Sequence, residues 1–172
     1  ALTLGRAKGL RIRVAAFTNL TQDHLDFHGT MAAYGEAKAL LFTELGPASA
    51  VINVGDPFGA ALVSRARSQV VRVRASLEGA PAEIYPLERV IDAKGIRGVL
   101  HTPGGPIPFS SRLVGAHNLE NLVVAFGIAH ALELNMPAVA ASLEHDVGAP
   151  GRLERCDEDE DPFQVLVDYA HT

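Results

Sequence analysis

The densest group of side chains able to do chemistry lies in residues 18–29, with the sequence TNLTQDHLDFHG. It contains four possible ligands for a divalent cation, namely Asp23, His24, Asp26 and His28. His24 and His28 are four residues apart, as in half of a zinc site, but leucine follows His24 where the zinc-protease motif has its glutamate. Two interpretations stay open: a cation site, or a loop whose Asp and His side chains hydrogen-bond to its own backbone.

Lys38 is the second candidate, because its position on a predicted helix is unusual for a charged residue. It follows Tyr34 by four residues and precedes Leu41 by three, so it shares the apolar stripe of that helix. In one interpretation the stem is buried and the ammonium reaches water. In the other the amine is partly desolvated and becomes a neutral, chemically useful group.

Further along the chain, three sites offer groups that suit a nucleotide. Residues 115–121, GAHNLEN, begin a predicted helix, where free N–H groups favour anions; Asn118 and Asn121 project there, although both could instead be helix caps. Arg152 follows a Pro-Gly turn, and its planar guanidinium suits phosphate, although a lone surface arginine is commonly only solvated. Asp168 ends an apolar run, where a carboxylate can bind a ribose hydroxyl.

The elements that must position these groups alternate between strand and helix. Buried strands are predicted at 11–18, 48–54 and 69–75, and helices at 31–45 (capped by Thr30) and 57–67 (capped by Asp56). This alternation predicts an α/β fold with a mostly parallel sheet flanked by helices on both faces. Ligands bind beyond the carboxyl ends of such strands, which is where residues 19–29 fall.

The pattern changes in a β-rich subregion at about 76–114, where glycines and prolines separate short β-like runs. We expect an antiparallel meander there, attached to the sheet. Helices at 118–134 and 137–145 follow, and an apolar run at 163–169 predicts a last buried strand.

Composition limits the classes of function. The chain has 172 residues, of which 48% are hydrophobic, and a net charge of -5. This balance argues against nucleic-acid binding. No apolar run approaches membrane-spanning length and Cys156 is the single cysteine, so we expect a cytoplasmic protein without membrane insertion. We also expect a monomer.

Taken in order, these motifs resemble the central domain of the Mur ligase family. The resemblance rests on residues 18–29 with Tyr34 to Lys38, then on 115–121, then on PGRLE at 150–154, then on DYAHT at 168–172. The DYAHT ending is most similar to the family member that adds the third residue to the peptidoglycan precursor. The resemblance implies a P-loop NTPase-like fold and an ATP-dependent amide-bond ligase that acts through an acyl phosphate.

The resemblance also implies roles for individual residues. His24 is expected to bind magnesium, and Lys38 to become carbamylated and hold a second magnesium ion. Asn118 and Asn121 would lie near the adenine and phosphates of ATP, Arg152 at a phosphate and Asp168 at the ribose. Arg6 and Asn19 would contact the substrate, UDP-MurNAc-L-Ala-D-Glu, which receives diaminopimelate or lysine.

The phosphate-binding loop of the family, G-T-x-G-K-T or similar, does not occur in the sequence. The resemblance places that loop and a UDP-binding domain before Ala1, and an amino-acid-selecting domain after Thr172. We therefore interpret residues 1–172 as part of the central domain. We expect no ligase activity from the chain alone, because the loop that binds the β- and γ-phosphates of ATP is missing from it.

Three alternatives remain. Folylpolyglutamate and cyanophycin synthetases share the same architecture. A non-catalytic nucleotide-binding module would keep the fold without the chemistry. A metal-dependent hydrolase could use Asp23, His24, Asp26 and His28, but it would leave Asn118, Arg152 and Asp168 without a role.

Overall fold

The parallel sheet predicted from the strand–helix alternation is present. The computed structural model describes residues 2, 4–7, 9–21, 28–145, 148–156, 163 and 165–169. Strands β1 (Val14–Phe17), β2 (Ser49–Asn53) and β3 (Gln69–Val73) form a parallel sheet in that order. Val14 pairs with Ser49, and Ser49 with Gln69, so the carboxyl ends of the three strands lie at the same edge.

Helices cover both faces of this sheet: α1 (Met31–Thr43) and α2 (Pro57–Leu62, continued by a 3₁₀ turn at Val63–Arg65) pack on one face, and α3 (Ala116–Ala131) packs on the other. Helix α4 (Met136–Glu144) packs against α3 and against the strand at Ile107–Ser111. The predicted caps are confirmed, since Thr30 Oγ1 accepts from Ala33 N at 3.1 Å and Asp56 Oδ1 accepts from Phe58 N at 2.8 Å. Within the described part of the chain, no helix has the length and apolar character needed to cross a bilayer.

Alternation along β2 divides the hydrophobic core between the two faces. Ala50 and Ile52 pack towards α1 and α2, in a cluster that also contains Phe17, Phe42 and Leu62. Val51 packs on the opposite face against α3, in a second cluster with Leu119, Val123 and Phe126. A strand that is buried on both faces explains why the segment reads as a continuous apolar run.

The predicted meander is confirmed as a three-stranded antiparallel sheet of β4 (Tyr85–Asp92), β5 (Gly95–His101) and β6 (Ile107–Ser111). It shares the second core, where Phe109 meets Phe126 edge-on at 6.0 Å between ring centroids. A single parallel bridge between Val73 and Ile84 and an ion pair between Arg72 and Glu83 connect it to the parallel sheet. The β-rich segment is therefore built onto the side of β3.

The prediction of a buried strand at 163–169 is wrong for the residues that are described there. The observed strand is β8 (Leu166–Val167), which pairs antiparallel with β7 (Glu154–Arg155). Phe163 is 65% exposed and Tyr169 is 72% exposed. Apolar composition indicates burial only where another layer covers the strand, and no core cluster of the described residues includes this segment.

Candidate functional site

The loop after β1 is held at three consecutive residues by side chains from three other elements. Asn53 Nδ2, at the end of β2, donates to the carbonyl of Thr18 at 2.8 Å. Lys38 Nζ, on α1, donates to the carbonyl of Asn19 at 2.9 Å. Leu20 N donates to Asp56 Oδ2, at the start of α2, at 2.9 Å. The peptide groups of residues 18–20 are thus fixed at the carboxyl edge of the parallel sheet.

Lys38 lies between aromatic rings as well as against this loop. Its Nζ is 4.6 Å from the ring centroid of Tyr34 and 5.9 Å from that of Phe17. A cation is attracted to an aromatic face at such distances. Lys38 is half-buried, and its amine is directed at protein groups.

Asn19 and Lys38 also line a small cleft of about 180 Å³, together with Leu2, Ala16, Phe17, Thr18, Leu41 and Phe42. The structure therefore brings these two predicted site residues together. Arg6, the other predicted substrate residue, is exposed in the turn at residues 4–7 and lines neither this cleft nor the larger one described below.

Of the proposed metal ligands in the loop after β1, three lie outside the described residues, namely Asp23, His24 and Asp26. The role of His24 therefore stays a prediction. His28 is described and stacks on Tyr34, with ring centroids 4.9 Å apart and the planes inclined by 27°. Among the residues that the structure describes, no three His, Cys, Asp or Glu side chains form a metal-binding group.

A second, larger cleft brings the four predicted nucleotide residues together. It has a volume of about 550 Å³, and its walls include Asn118, Asn121, Arg152 and Asp168. The remaining lining residues are Leu113, His117, Gly148, Ala149 and Leu153. Residues up to 50 positions apart in sequence thus converge on one concave surface, which combines amides, a guanidinium and a carboxylate.

Helix α3 presents its amino terminus to this cleft without a side-chain cap. Gly115 is the N-cap and makes no side-chain hydrogen bond, so the alternative in which the asparagines cap the helix is not observed. Asn118 Nδ2 instead donates to the carbonyl of Val114 at 2.8 Å, and Asn121 Nδ2 lies 3.3 Å from Asn118 Oδ1. Asn118 N donates to the carbonyl of Gly115 at 3.1 Å, and within the described part of the chain the N–H groups of Ala116 and His117 are left for solvent or an anion.

The β7–β8 hairpin positions Arg152 and Asp168. Gly151 N donates to Glu154 Oε2 at 2.7 Å, which tightens the turn that carries Arg152. Tyr169 N donates to the carbonyl of Gly151 at 2.6 Å, which holds the residue after Asp168 against that turn. Both functional side chains are exposed and line the cleft.

Two positioning residues were missed by the sequence reasoning. Asn53 is only 3% exposed, and its Oδ1 accepts from Gly55 N at 3.0 Å while its amide holds Thr18. Asp56 was predicted as a cap, but its second oxygen also holds Leu20. The signal available in sequence was the pair of polar residues Asn53 and Asp56 at the end of an apolar run, at the edge where ligands bind.

Comparison with known proteins agrees with this fold. Residues 1–129 match the Mur ligase middle domain. The chain belongs to the Mur ligase family.

More specifically, it is similar to enzymes named UDP-N-acetylmuramoyl-L-alanyl-D-glutamate–2,6-diaminopimelate ligase. It is 47% identical to the one from Gloeobacter violaceus and 48% identical to the one from Geobacter metallireducens, in both cases over 100% of this chain. The chain spans 35% and 34% of the length of these two relatives.

Solved structures show the same relationship. A structure of a UDP-N-acetylmuramoyl-L-alanyl-D-glutamate–2,6-diaminopimelate ligase is 33% identical with a TM-score of 0.84, over 99% of this chain and 35% of that one. A MurF ligase from Thermotoga maritima, solved in complex with ADP, shares the fold at 18% identity and a TM-score of 0.68, over 89% of this chain and 35% of that one.

Proposed function

We propose that these residues form the central domain of an ATP-dependent ligase that adds 2,6-diaminopimelate to UDP-MurNAc-L-Ala-D-Glu in peptidoglycan precursor synthesis. The observation that carries the proposal is 47–48% identity along the whole chain to relatives named for that reaction. Because the chain spans about a third of those relatives, the activity belongs to the full-length protein. The reaction would take place in the cytoplasm, with the protein as a monomer.

The larger cleft is the proposed ATP site. Its volume of about 550 Å³ lies within the usual range of small-molecule sites, roughly 300–1,000 Å³. Its donor set fits the parts of the nucleotide: the amides of Asn118 and Asn121 for the base and nearest phosphate, Arg152 for phosphate, and Asp168 for the ribose hydroxyls. The uncapped start of α3 adds N–H donors suited to phosphate oxygens.

The loop after β1 is the proposed site of phosphate transfer, with His24 and a carbamylated Lys38 as magnesium ligands. Carbamylation requires the Lys38 ammonium first to lose a proton; the neutral amine then joins CO₂ and releases a second proton, so the cationic group becomes a carboxylate-like anion that suits magnesium. The carbamate keeps one N–H, which can still donate to the carbonyl of Asn19. When bound, magnesium would neutralise the charge that gathers as the acyl phosphate forms.

The test is an ATP-dependent ligation assay on the full-length protein. We expect diaminopimelate to be joined to UDP-MurNAc-L-Ala-D-Glu with release of ADP and phosphate, and lysine or a folate substrate to react poorly. Lys38→Ala and Lys38→Arg should both abolish ligation, since neither side chain forms a carbamate. Lys94→Ala, which removes an exposed lysine of a hairpin turn, is the matched control.

Two results would overturn the proposal. Preference for folate with glutamate would place the protein among the folylpolyglutamate synthetases. Nucleotide binding without turnover of any of these substrates would favour a non-catalytic module instead.

A further inference from the structure

One carboxylate at the start of α2 contacts two different elements. Asp56 Oδ1 accepts from Phe58 N at 2.8 Å and Gly59 N at 3.0 Å, which caps the helix. Asp56 Oδ2 accepts from Leu20 N at 2.9 Å, 36 residues away in sequence. The two oxygens therefore have separate tasks: one caps the start of α2 and the other holds the loop after β1.

The loop bond lies one peptide unit from the lysine. Leu20 N belongs to the same peptide group as the carbonyl of Asn19, and that carbonyl is the acceptor for Lys38 Nζ. Peptide groups are planar, so fixing the N–H also fixes the direction of the C=O. A hydrogen bond at Leu20 thus sets where the acceptor of Lys38 points.

We propose that Asp56 is a positioning residue for Lys38, acting through the peptide group between Asn19 and Leu20. This inference rests on the proposed function only for its catalytic consequence, because the positioning itself is a property of the fold. Asn53 fixes the preceding peptide from the same edge of the sheet, so the peptide groups on both sides of Asn19 are held beside Lys38.

The variant Asp56→Asn separates the two tasks of the carboxylate. Asparagine caps a helix as well as aspartate does, so Oδ1 can keep its bonds to Phe58 N and Gly59 N. Its second atom is an NH₂ group, which cannot accept from Leu20 N. Asp56→Ser should also remove the hydrogen bond from Leu20 N, since a serine cap has no second acceptor at that distance.

The matched control is Asn135→Asp. Asn135 caps α4 by accepting from Ala138 N at 3.0 Å, in an exposed position away from the loop. This variant makes the reverse exchange at a cap whose hydrogen bond, among the described residues, is to its own helix.

The first readout is the rate at which an amine-reactive reagent modifies Lys38, measured by peptide mass spectrometry against Lys94 in the same sample. Buffer freed of CO₂ keeps the amine unmodified. We expect Asp56→Asn and Asp56→Ser to raise the Lys38-to-Lys94 ratio by about tenfold, the scale of one lost hydrogen bond to a charged group. Asn135→Asp should leave it unchanged. An unchanged ratio in both Asp56 variants, with the fold retained, would overturn the proposal.

The second readout is ligation by the full-length protein as a function of magnesium concentration. We expect Asp56→Asn to raise the magnesium concentration for half-maximal rate, while KM for the UDP-linked substrate stays close to that of the parent. If Lys38 labelling rises but Lys38→Ala ligates normally, the positioning stands and the proposed function fails. If Lys38→Ala abolishes ligation while Asp56→Asn changes neither labelling nor magnesium dependence, the positioning fails alone.

Discussion

Tyr169 and Gly151 are joined by a hydrogen bond of 2.6 Å from the N–H of the first to the carbonyl of the second. This contact closes the β7–β8 hairpin just beyond its paired residues, and it sets Asp168 beside the turn that carries Arg152. Two side chains that are 16 residues apart in sequence therefore face one cleft. Backbone pairing, and not burial of the strand, produces this part of the proposed nucleotide site.

Arg152 is expected to bind phosphate. Arg152→Ala should weaken ATP binding to the full-length protein by about tenfold or more, and Arg152→Lys should recover only part of it because lysine lacks the planar fork. Affinity for adenosine should be the same in all three proteins, as measured by calorimetry. Arg112→Ala, at an exposed arginine outside the cleft, is the control. An equal loss for adenosine would contradict a phosphate role.

Asp168 is expected to accept hydrogen bonds from the ribose hydroxyls. The parent protein should bind ATP about tenfold more tightly than 2′,3′-dideoxy-ATP, and Asp168→Ala should remove that difference. The comparison is a double-mutant cycle between a side chain and the sugar, so general damage to the site cancels. If Asp168→Ala weakens both nucleotides by the same factor, Asp168 does not contact the ribose.

Glu83 is expected to make stability depend on pH. Burial raises the pKa of Glu83, but hydrogen bonds from the Arg72 side chain and from Arg72 N, at 2.6 Å, outweigh it, so this pKa lies below its ordinary value of 4.5. A lowered carboxyl pKa stabilises the fold fully above the unfolded-state value, and this stabilisation is lost as pH falls through the folded-state value.

Glu83→Gln should therefore lower the free energy of unfolding near neutral pH and have progressively less effect in acid below the ordinary pKa. Urea unfolding at a series of pH values measures the difference. Glu36→Gln is the matched control, because its pair with Arg65 is solvent-exposed and such pairs contribute little. A difference for Glu83→Gln that does not change with pH would contradict the assignment.

Gly127 sets the distance between α3 and the parallel sheet. A Cβ at this position would lie 2.6 Å from Val51 Cγ1 and 2.8 Å from Val73 Cγ1. Gly127→Ala should cost about 1–3 kcal/mol in the free energy of unfolding. Adding Val51→Ala makes room, so the double variant should be less destabilised than the sum of the single variants.

Gly104→Ala is the control for Gly127→Ala, since a Cβ there would meet only Thr102 Oγ1 at 3.8 Å. Denaturant unfolding of the parent, the two single variants Gly127→Ala and Val51→Ala, and the double variant measures the coupling between these two positions. Strict additivity of Gly127→Ala and Val51→Ala would show that the two side chains do not compete for the same space.

Local signals predicted much of the fold. The starts of α1 and α2 followed from Thr30 and Asp56, because a cap acts within one turn of its own helix. The predicted windows for the strands were wider than β1 to β3, since apolar residues continue past the last paired position. The exposure of β8 was not predictable from composition, because burial depends on what other elements cover the strand.

The candidate site, like the fold, was predictable from the sequence only where the signal is local. The types of Asn118, Arg152 and Asp168 indicated nucleotide chemistry, but their convergence on one cleft depends on a hairpin and a helix start that are far apart in sequence. Asn53 was missed because its partner Thr18 is 35 residues away, and no local pattern reports such a bond. Lys38 was predictable because a charged residue at an apolar position of a helix stands out from its neighbours in sequence.

Strand β8 and its neighbours also govern how the chain behaves in solution. Phe163, Leu166, Val167 and Tyr169 all present apolar surface to solvent, in and beside the two-stranded sheet of β7 and β8. Surfaces of this kind adhere to one another, so the sedimentation coefficient of the 172-residue chain should rise with concentration. Low ionic strength should keep the net charge of -5 effective in holding molecules apart. Dilute, low-salt samples are therefore the conditions in which its binding properties are those of the single molecule.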